Sequence, residues 1–178
     1  MLEIRSNGSL TAKGKTLSGY AAVFNSEAIL GDFTEVIRRG AFANTLATGS
    51  NIRALYHHQG DALLGTSKSG TLQLREDAHG LAFDLSLPDT SHGRDLAVLV
   101  ERGDVAACSF GFRVSDGGDR WELRGSTLVR ELLAVDLHEI TLTHDPAYSD
   151  TTVALRCAQQ HLWWGNFVDA NRLWLQTV

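Results

Sequence analysis

Hydrophobic and polar positions alternate along much of the first two thirds of the chain. In residues 80–87 (GLAFDLSL), every second position is a large apolar side chain, and the positions between are small or polar. Shorter alternating runs occur at residues 52–56 and 71–74, and residues 17–24 are an apolar run that ends at Asn25, a turn former. A period of two, bounded by Gly, Asp and Pro, is typical of antiparallel strands with one face in water. The pattern therefore predicts a mainly β domain.

Two helices are predicted between these strands. Residues 40–47 (GAFANTLA) form the first, a short helix that ends before a glycine. The second has Ser91 as its predicted N-cap and Gly103 just past its C-terminus. Its apolar stripe consists of Leu96, Leu99 and Val100. Because the neighbouring strands alternate instead of being apolar throughout, the helices are inserts and not βαβ crossovers. The predicted class is α+β.

The composition fits one domain and an appendage. The chain has 178 residues, of which 43% are apolar and 21% are charged, as in globular proteins. We predict a domain over residues 1–156 and a C-terminal helical tail over residues 157–178. The tail carries three of the four tryptophans. It either packs on the domain or binds a partner.

Charge and hydropathy exclude several classes of function. A net charge of −5 argues against a nucleic-acid binder, which needs clusters of Lys and Arg. There is no run of 18 apolar residues for a membrane span. With two cysteines and no secretory signal, the chain is predicted to be intracellular. A zinc site from His138, His144 and Asp145 lacks the usual ligand spacing, so no metal or cofactor is expected.

A single serine stands out in residues 107–112 (ACSFGF). In a strand, Cys108 shares one face with the two phenylalanines, and Ser109 lies on the other face among small residues. We therefore expect Ser109 to be accessible, either as a nucleophile or as an ordinary surface serine. Cys108 is expected to be buried, which argues against a cysteine nucleophile.

A serine hydroxyl becomes a nucleophile only beside an oriented base. His57 and His58 follow the strand-like residues 52–56, just before a turn. Loops at strand ends are where a rigid scaffold presents functional side chains. His58 is expected to continue the face of Tyr56.

A carboxylate stands out in residues 132–142 (LLAVDLHEITL). Strict alternation places Glu139 on an otherwise apolar face, where its charge needs a partner. A histidine ring would serve, and so would an arginine such as Arg130 or Arg113. His138 is expected on the opposite face.

Seven segments, in this order, resemble the tailed-phage prohead (capsid-maturation) protease family. They run through most of residues 18–156, and their order and spacing carry the resemblance. The segments are SGYAAVFN (18–25), FTEVIRRGAFANTL (33–46), ALYHHQGDALLGTSKSGTLQL (54–74), GLAFDLSLPDT (80–90), DLAVLVERGDV (95–105), CSFGF (108–112) and LHEITLTHDPAY (137–148).

The resemblance implies a fold and a site. The fold would be similar to that of herpesvirus assemblins, an antiparallel β-barrel wrapped by helices. The catalytic residues implied are Ser109 as the nucleophile, His58 as the base and Glu139 as the third member. The family's histidine usually follows an asparagine, and His57 occupies that place. Because assemblins use a histidine as the third member, His138 is the alternative to Glu139.

The resemblance also implies a biological role. The chain would be a serine endopeptidase that cleaves the scaffold or delta segment of the major capsid protein, and itself, inside the immature capsid in the host cytoplasm. No nucleic-acid or membrane partner is implied, and homo-oligomerisation is left open. One alternative is an inactive capsid-assembly protein that retains the protease fold. An α/β-hydrolase is disfavoured because its nucleophile elbow requires glycine at Ala107 and a βαβ sheet.

Overall fold

The computed structural model of the protein describes residues 2–6, 9–13 and 15–144. The predicted tail, residues 157–178, lies outside the described part. Within the described part there are thirteen strands and two helices. The strands are β1 (Glu3–Ser6), β2 (Ser9–Lys13), β3 (Thr16–Val23), β4 (Glu27–Leu30), β5 (Phe33–Ile37), β6 (Arg53–Tyr56), β7 (Gln59–Thr66), β8 (Leu72–Glu76), β9 (Gly80–Ser86), β10 (Ala107–Val114), β11 (Asp119–Arg124), β12 (Thr127–Leu132) and β13 (Val135–Thr143). The helices are α1 (Ala43–Ala47) and α2 (Ser91–Glu101).

These strands form three sheets. A five-stranded sheet has the order β1-β10-β13-β6-β7, and two four-stranded sheets have the orders β2-β3-β9-β8 and β11-β12-β5-β4. Most neighbours are antiparallel, but β13 pairs with β6, and β12 with β5, in parallel. The predicted mainly β, α+β class is confirmed. The described strands do not close into a barrel, so the expected herpesvirus-type barrel is not confirmed.

The main core lies against one face of the five-stranded sheet. Cys108, Phe110 and Phe112 of β10 are fully buried there, as the alternation of ACSFGF predicts. The predicted inward residues of β9 are buried in the same core, namely Leu81, Phe83 and Leu85. Ala82, predicted to face outward, is only 2% exposed, so the outer face of β9 is also covered at that position.

The two helices differ slightly from their predicted bounds. The first covers only residues 43–47. The N-cap of the second is Thr90, one residue before the predicted Ser91, and its hydroxyl accepts a hydrogen bond from Gly93 N at 3.3 Å. Gly103 has a φ of +81° and ends this helix as predicted. In the part of the chain that the structure describes, neither helix is long and apolar enough to cross a membrane.

Buried ion pairs fasten the first strand to a second sheet. Arg5 Nε of β1 lies 2.5 Å from Glu35 Oε1 of β5. Arg130 Nη1 of β12 lies 2.7 Å from Glu3 Oε2 of β1. The Arg130 side chain is 3% exposed and the Glu35 side chain is 2% exposed, so these charges are paired away from water. Because β1 also pairs with β10, the strand that carries Ser109, these ion pairs link the second sheet to the sheet of Ser109.

A β-bulge interrupts the pairing of β10 with β13. Phe110 lies opposite Ile140, but Phe112 lies opposite Leu137, so β13 contains one extra residue, His138, at this point. A bulge shifts the alternation by one residue. As a result Leu137 and Ile140 both face the core, and Glu139 faces the other side. The expectation that Glu139 shares the apolar face of Leu137 is therefore wrong.

Candidate active site

Ser109 and Glu139 lie on the face of the five-stranded sheet that is opposite the main core. Two neighbouring rows of ladder partners cross this face. From β10 through β13 to β6, one row consists of Ser109, Thr141 and Leu55, and the next consists of Gly111, Glu139 and Arg53. Residues that are directly opposed in a ladder point to the same face. Ser109 and Glu139 are therefore one row apart on neighbouring strands.

Ser109 is fully buried, and the expectation that it would be accessible is wrong. The other members of its row, Thr141 and Leu55, are buried as well, so this face of the sheet is covered at that row. The small residues beside Ser109 in the sequence do not reveal such a cover. The Ser109 Oγ atom is buried and has no hydrogen-bond partner.

His57 and His58 form the two-residue turn between β6 and β7. Their φ angles are +51° and +57°, which corresponds to the type I′ turn that tight hairpins favour. His58 therefore does not continue the face of Tyr56 as expected, because the chain reverses before it. Nδ1 of His58 instead lies 3.0 Å from Oε1 of Glu139. Nε2, at the other end of the ring, is buried and has no hydrogen-bond partner.

Glu139 is held by two partners, one on each oxygen. Oε1 accepts from His58, and Oε2 lies 3.1 Å from Nη2 of Arg53. The carboxylate side chain is 6% exposed, so its charge is compensated inside the protein. Neither arginine suggested by the sequence is its partner. Arg130 pairs with Glu3, Glu35 and Asp119, and Arg113 lies opposite Asp136 on an exposed part of the sheet.

Gly111 provides the space for the Glu139 side chain. A Cβ atom at Gly111 would lie 2.9 Å from Cγ and 3.4 Å from Cδ of Glu139. The first distance is shorter than real carbon contacts, so any side chain at this position would displace the carboxylate. Glycine in a strand often marks such a close approach.

The neighbouring histidines have other contacts. Nδ1 of His57 lies 3.2 Å from Oγ1 of Thr143, and Nε2 of His57 lies 3.2 Å from Nδ1 of His144. His138 is the extra residue of the bulge, and its Nε2 atom is buried with no hydrogen-bond partner. Of the two candidates for the third member, the structure brings Glu139 to His58.

Burial disfavours Cys108 as the nucleophile. Burial raises the pKa of the Cys108 thiol to about 12, so the thiolate is scarce at neutral pH. The described ranges contain no group of three or more His, Cys, Asp and Glu side chains that could hold a metal ion. Asp145 of the suggested zinc set lies outside them.

Three residues of the site were not predicted as functional: Thr141, Arg53 and Gly111. Thr141 lies two positions after Glu139, within the segment that carries the resemblance. This proximity to Glu139 was the signal in the sequence that could have identified Thr141 as a site residue. The position of Arg53 beside Glu139 follows from the parallel pairing of β6 with β13, for which the sequence gives no signal.

Ser109, His58 and Glu139 supply the hydroxyl, imidazole and carboxylate that serine hydrolases use, and the imidazole and carboxylate are hydrogen-bonded to each other. A comparison with protein families agrees with this class. The family model described as Caudovirus prohead serine protease matches residues 1–162. The chain belongs to this family and is a serine peptidase of bacteriophage capsid maturation. No curated protein matches it, and no solved structure does, so the expected relation to herpesvirus assemblins is not shown.

Proposed function

We propose that the chain cleaves the scaffold or delta segment of the major capsid protein, and its own chain, with Ser109, His58 and Glu139 as the catalytic residues. The observation that carries the proposal is the hydrogen bond between His58 Nδ1 and Glu139 Oε1. An ionised carboxylate only accepts hydrogen bonds, so Nδ1 must carry the proton. In the neutral ring, Nε2 is then the basic nitrogen.

The proposed reaction is acyl transfer in two halves. Nε2 of His58 takes the proton of Ser109 Oγ as that oxygen attacks the peptide carbonyl carbon. The imidazolium then gives this proton to the leaving nitrogen as the C–N bond breaks, and an ester on Ser109 remains. In the second half His58 takes a proton from water as the water oxygen attacks the ester carbon, the bond between that carbon and Ser109 Oγ breaks to release the carboxylic acid product, and His58 returns the proton to Oγ.

Glu139 has two tasks in this scheme. It holds the ring in the tautomer that leaves Nε2 basic, and its charge stabilises the imidazolium that forms during both halves. Arg53 binds the other carboxylate oxygen. That contact fixes the direction in which Oε1 points.

Access to the serine requires a conformational step. Ser109 Oγ and His58 Nε2 are both buried, so a peptide carbonyl cannot reach them while the site keeps this arrangement. The residues around the serine must move before substrate binds, as active-site loops do in many enzymes. The His57–His58 turn is the element that must keep His58 aligned during that movement.

Co-expression with the major capsid protein of the same phage tests the proposal. The wild-type chain is expected to shorten the capsid protein, and Ser109→Ala is expected to leave it intact. Ser26→Ala, a change at an exposed turn, is the matched control and is expected to process normally. Expression without the capsid protein tests self-cleavage. An intact capsid protein that assembles together with the wild-type chain would favour an inactive assembly protein instead.

A further inference from the structure

We propose that the Thr141 hydroxyl is a further catalytic group, which donates a hydrogen bond to the oxyanion formed when Ser109 attacks a peptide carbonyl. The inference rests on the proposed function. It identifies a residue that neither the resemblance nor the family match assigns.

The first observation is an unpaired hydroxyl. Thr141 is fully buried, and its Oγ1 atom has no hydrogen-bond partner. Buried polar atoms in native proteins are nearly always paired, so such an atom needs an explanation. In the part of the chain that the structure describes, the buried side-chain polar atoms without a partner are Ser109 Oγ, Thr141 Oγ1, His58 Nε2 and His138 Nε2. Ser109 and Thr141 are directly opposed in the ladder of β10 and β13, and His58 is the proposed base.

The second observation is the position of the hydroxyl. Thr141 lies directly opposite Ser109 in the antiparallel ladder. Directly opposed residues have Cβ atoms about 4.5–5.5 Å apart on one face of the sheet. A tetrahedral carbon bonded to Ser109 Oγ would therefore carry its oxygens within reach of the Thr141 hydroxyl.

The third observation concerns the main chain around the serine. Nucleophiles at sharp turns have free backbone N–H groups nearby that bind the oxyanion. Ser109 instead lies in the middle of β10, which pairs with β1 on one side and with β13 on the other. From Ser109 to Phe112, β10 therefore has a ladder partner on both sides, and the backbone N–H groups of this stretch are engaged in strand pairing. The oxyanion then requires a side-chain donor. The Thr141 hydroxyl is available for this role because it has no protein acceptor in the resting site.

The test replaces the hydroxyl without changing the shape of the side chain. Thr141→Val removes the donor, and kcat is expected to fall about 10²- to 10³-fold while KM changes little. Thr141→Ser keeps the donor and is expected to stay within about tenfold of wild type. Thr143→Val, on the same strand and nearly as buried, is the control, with an expected loss below about tenfold.

A second readout separates this role from a structural one. A peptide boronic acid with the sequence of the cleavage site forms a tetrahedral adduct on the serine, with a negatively charged oxygen. Its affinity is expected to fall in Thr141→Val by the same factor as kcat/KM, while the affinity for the product peptide is unchanged. The melting temperature is expected to be equal to or above that of wild type, because an unpaired buried polar atom has been removed.

The outcomes are distinguishable. The inference is overturned if Thr141→Val keeps wild-type kcat, or if its boronate and product affinities fall together. If Ser109→Ala still cleaves at the wild-type rate, the proposed function fails as well. If Ser109→Ala is inactive and Thr141→Val is fully active, only the inference about Thr141 fails.

Discussion

Nδ1 of His58 and Oε1 of Glu139 lie 3.0 Å apart although the two residues are 81 positions apart in the chain. Two departures from regular sheet geometry create this contact. The type I′ turn places His58 beyond the end of β6, and the bulge at His138 turns Glu139 away from the core. Each departure can be tested by mutation.

The first prediction concerns the charge of Glu139. Glu139→Gln keeps the shape of the side chain but loses the negative charge that stabilises the imidazolium. The corresponding change of a triad aspartate lowers turnover about 10⁴-fold. We expect a loss of at least about 100-fold here, equivalent to about 3 kcal/mol of transition-state stabilisation. The measurement is kcat in a peptide-cleavage assay.

His138→Ala is the comparison for that change and is expected to have a mild effect on kcat. If the His138 substitution abolishes cleavage and Glu139→Gln is harmless, the third member is His138.

A second prediction concerns the space beside the carboxylate. Gly111→Ala would place a methyl group 2.9 Å from Cγ of Glu139 and push the carboxylate away from His58. Misplacing a catalytic group by about 1 Å can cost about 100-fold in rate, so we expect kcat/KM to fall between about 10- and 100-fold. Gly60→Ala, where a Cβ meets nothing within 4 Å, is the control and is expected to keep full activity. Equal activities of the two variants would contradict this role for Gly111.

The conformation of the turn leads to a third prediction. His57 has a φ of +51°, a region that Asn tolerates well and β-branched residues do not. His57→Asn is therefore expected to keep both the melting temperature and the activity close to wild type. His57→Val is expected to destabilise the protein by about 1–3 kcal/mol. Both variants remove the ring contact with His144, so a similar stability of the two would show that this contact matters more than the backbone conformation.

Acid stability gives a fourth prediction. Hydrogen bonds from Arg38, together with Arg120 and Arg124, lower the pKa of Glu131 from 4.5 to about 2. The folded-state pKa is below the unfolded value, so the unfolded chain binds more protons between these limits. The contribution of Glu131 to stability is therefore present above about pH 4.5 and is lost as the pH falls towards 2. Urea midpoints at pH 6, 4 and 3 should fall less steeply in Glu131→Gln than in wild type, and equal slopes would contradict this account.

The sequence predicted those parts of the fold in which one face of a strand is buried. Residues 80–87 alternate clearly, and β9 was predicted almost to the residue. In β5, every residue from Phe33 to Ile37 is buried, so no alternation marks it as a strand. The burial of β5 depends on sheet packing and on the parallel pairing with β12. Both involve residues that are far apart in the sequence, so a local pattern does not predict them.

The site was predicted less completely than the fold. His58, Ser109 and Glu139 were singled out, but the faces expected for His58 and Glu139 were wrong. Strict alternation cannot reveal a bulge, because the extra residue is defined only by the register with the partner strand. The turn at His57 and His58 was missed because the usual sequence signals of a type I′ turn, such as Asn-Gly or Asp-Gly, are absent from these two positions.

The most direct test of the central claim is the position of a covalent adduct. A peptide phosphonate reacts with an activated serine by forming a P–O bond and releasing its leaving group. Mass spectrometry of the digested wild-type protein should locate the adduct on Ser109. The adduct should also form in His57→Asn and be lost in His58→Ala. A protein that cleaves its capsid substrate but carries the adduct on another residue, or an adduct on Ser109 that forms equally fast without His58, would contradict the account.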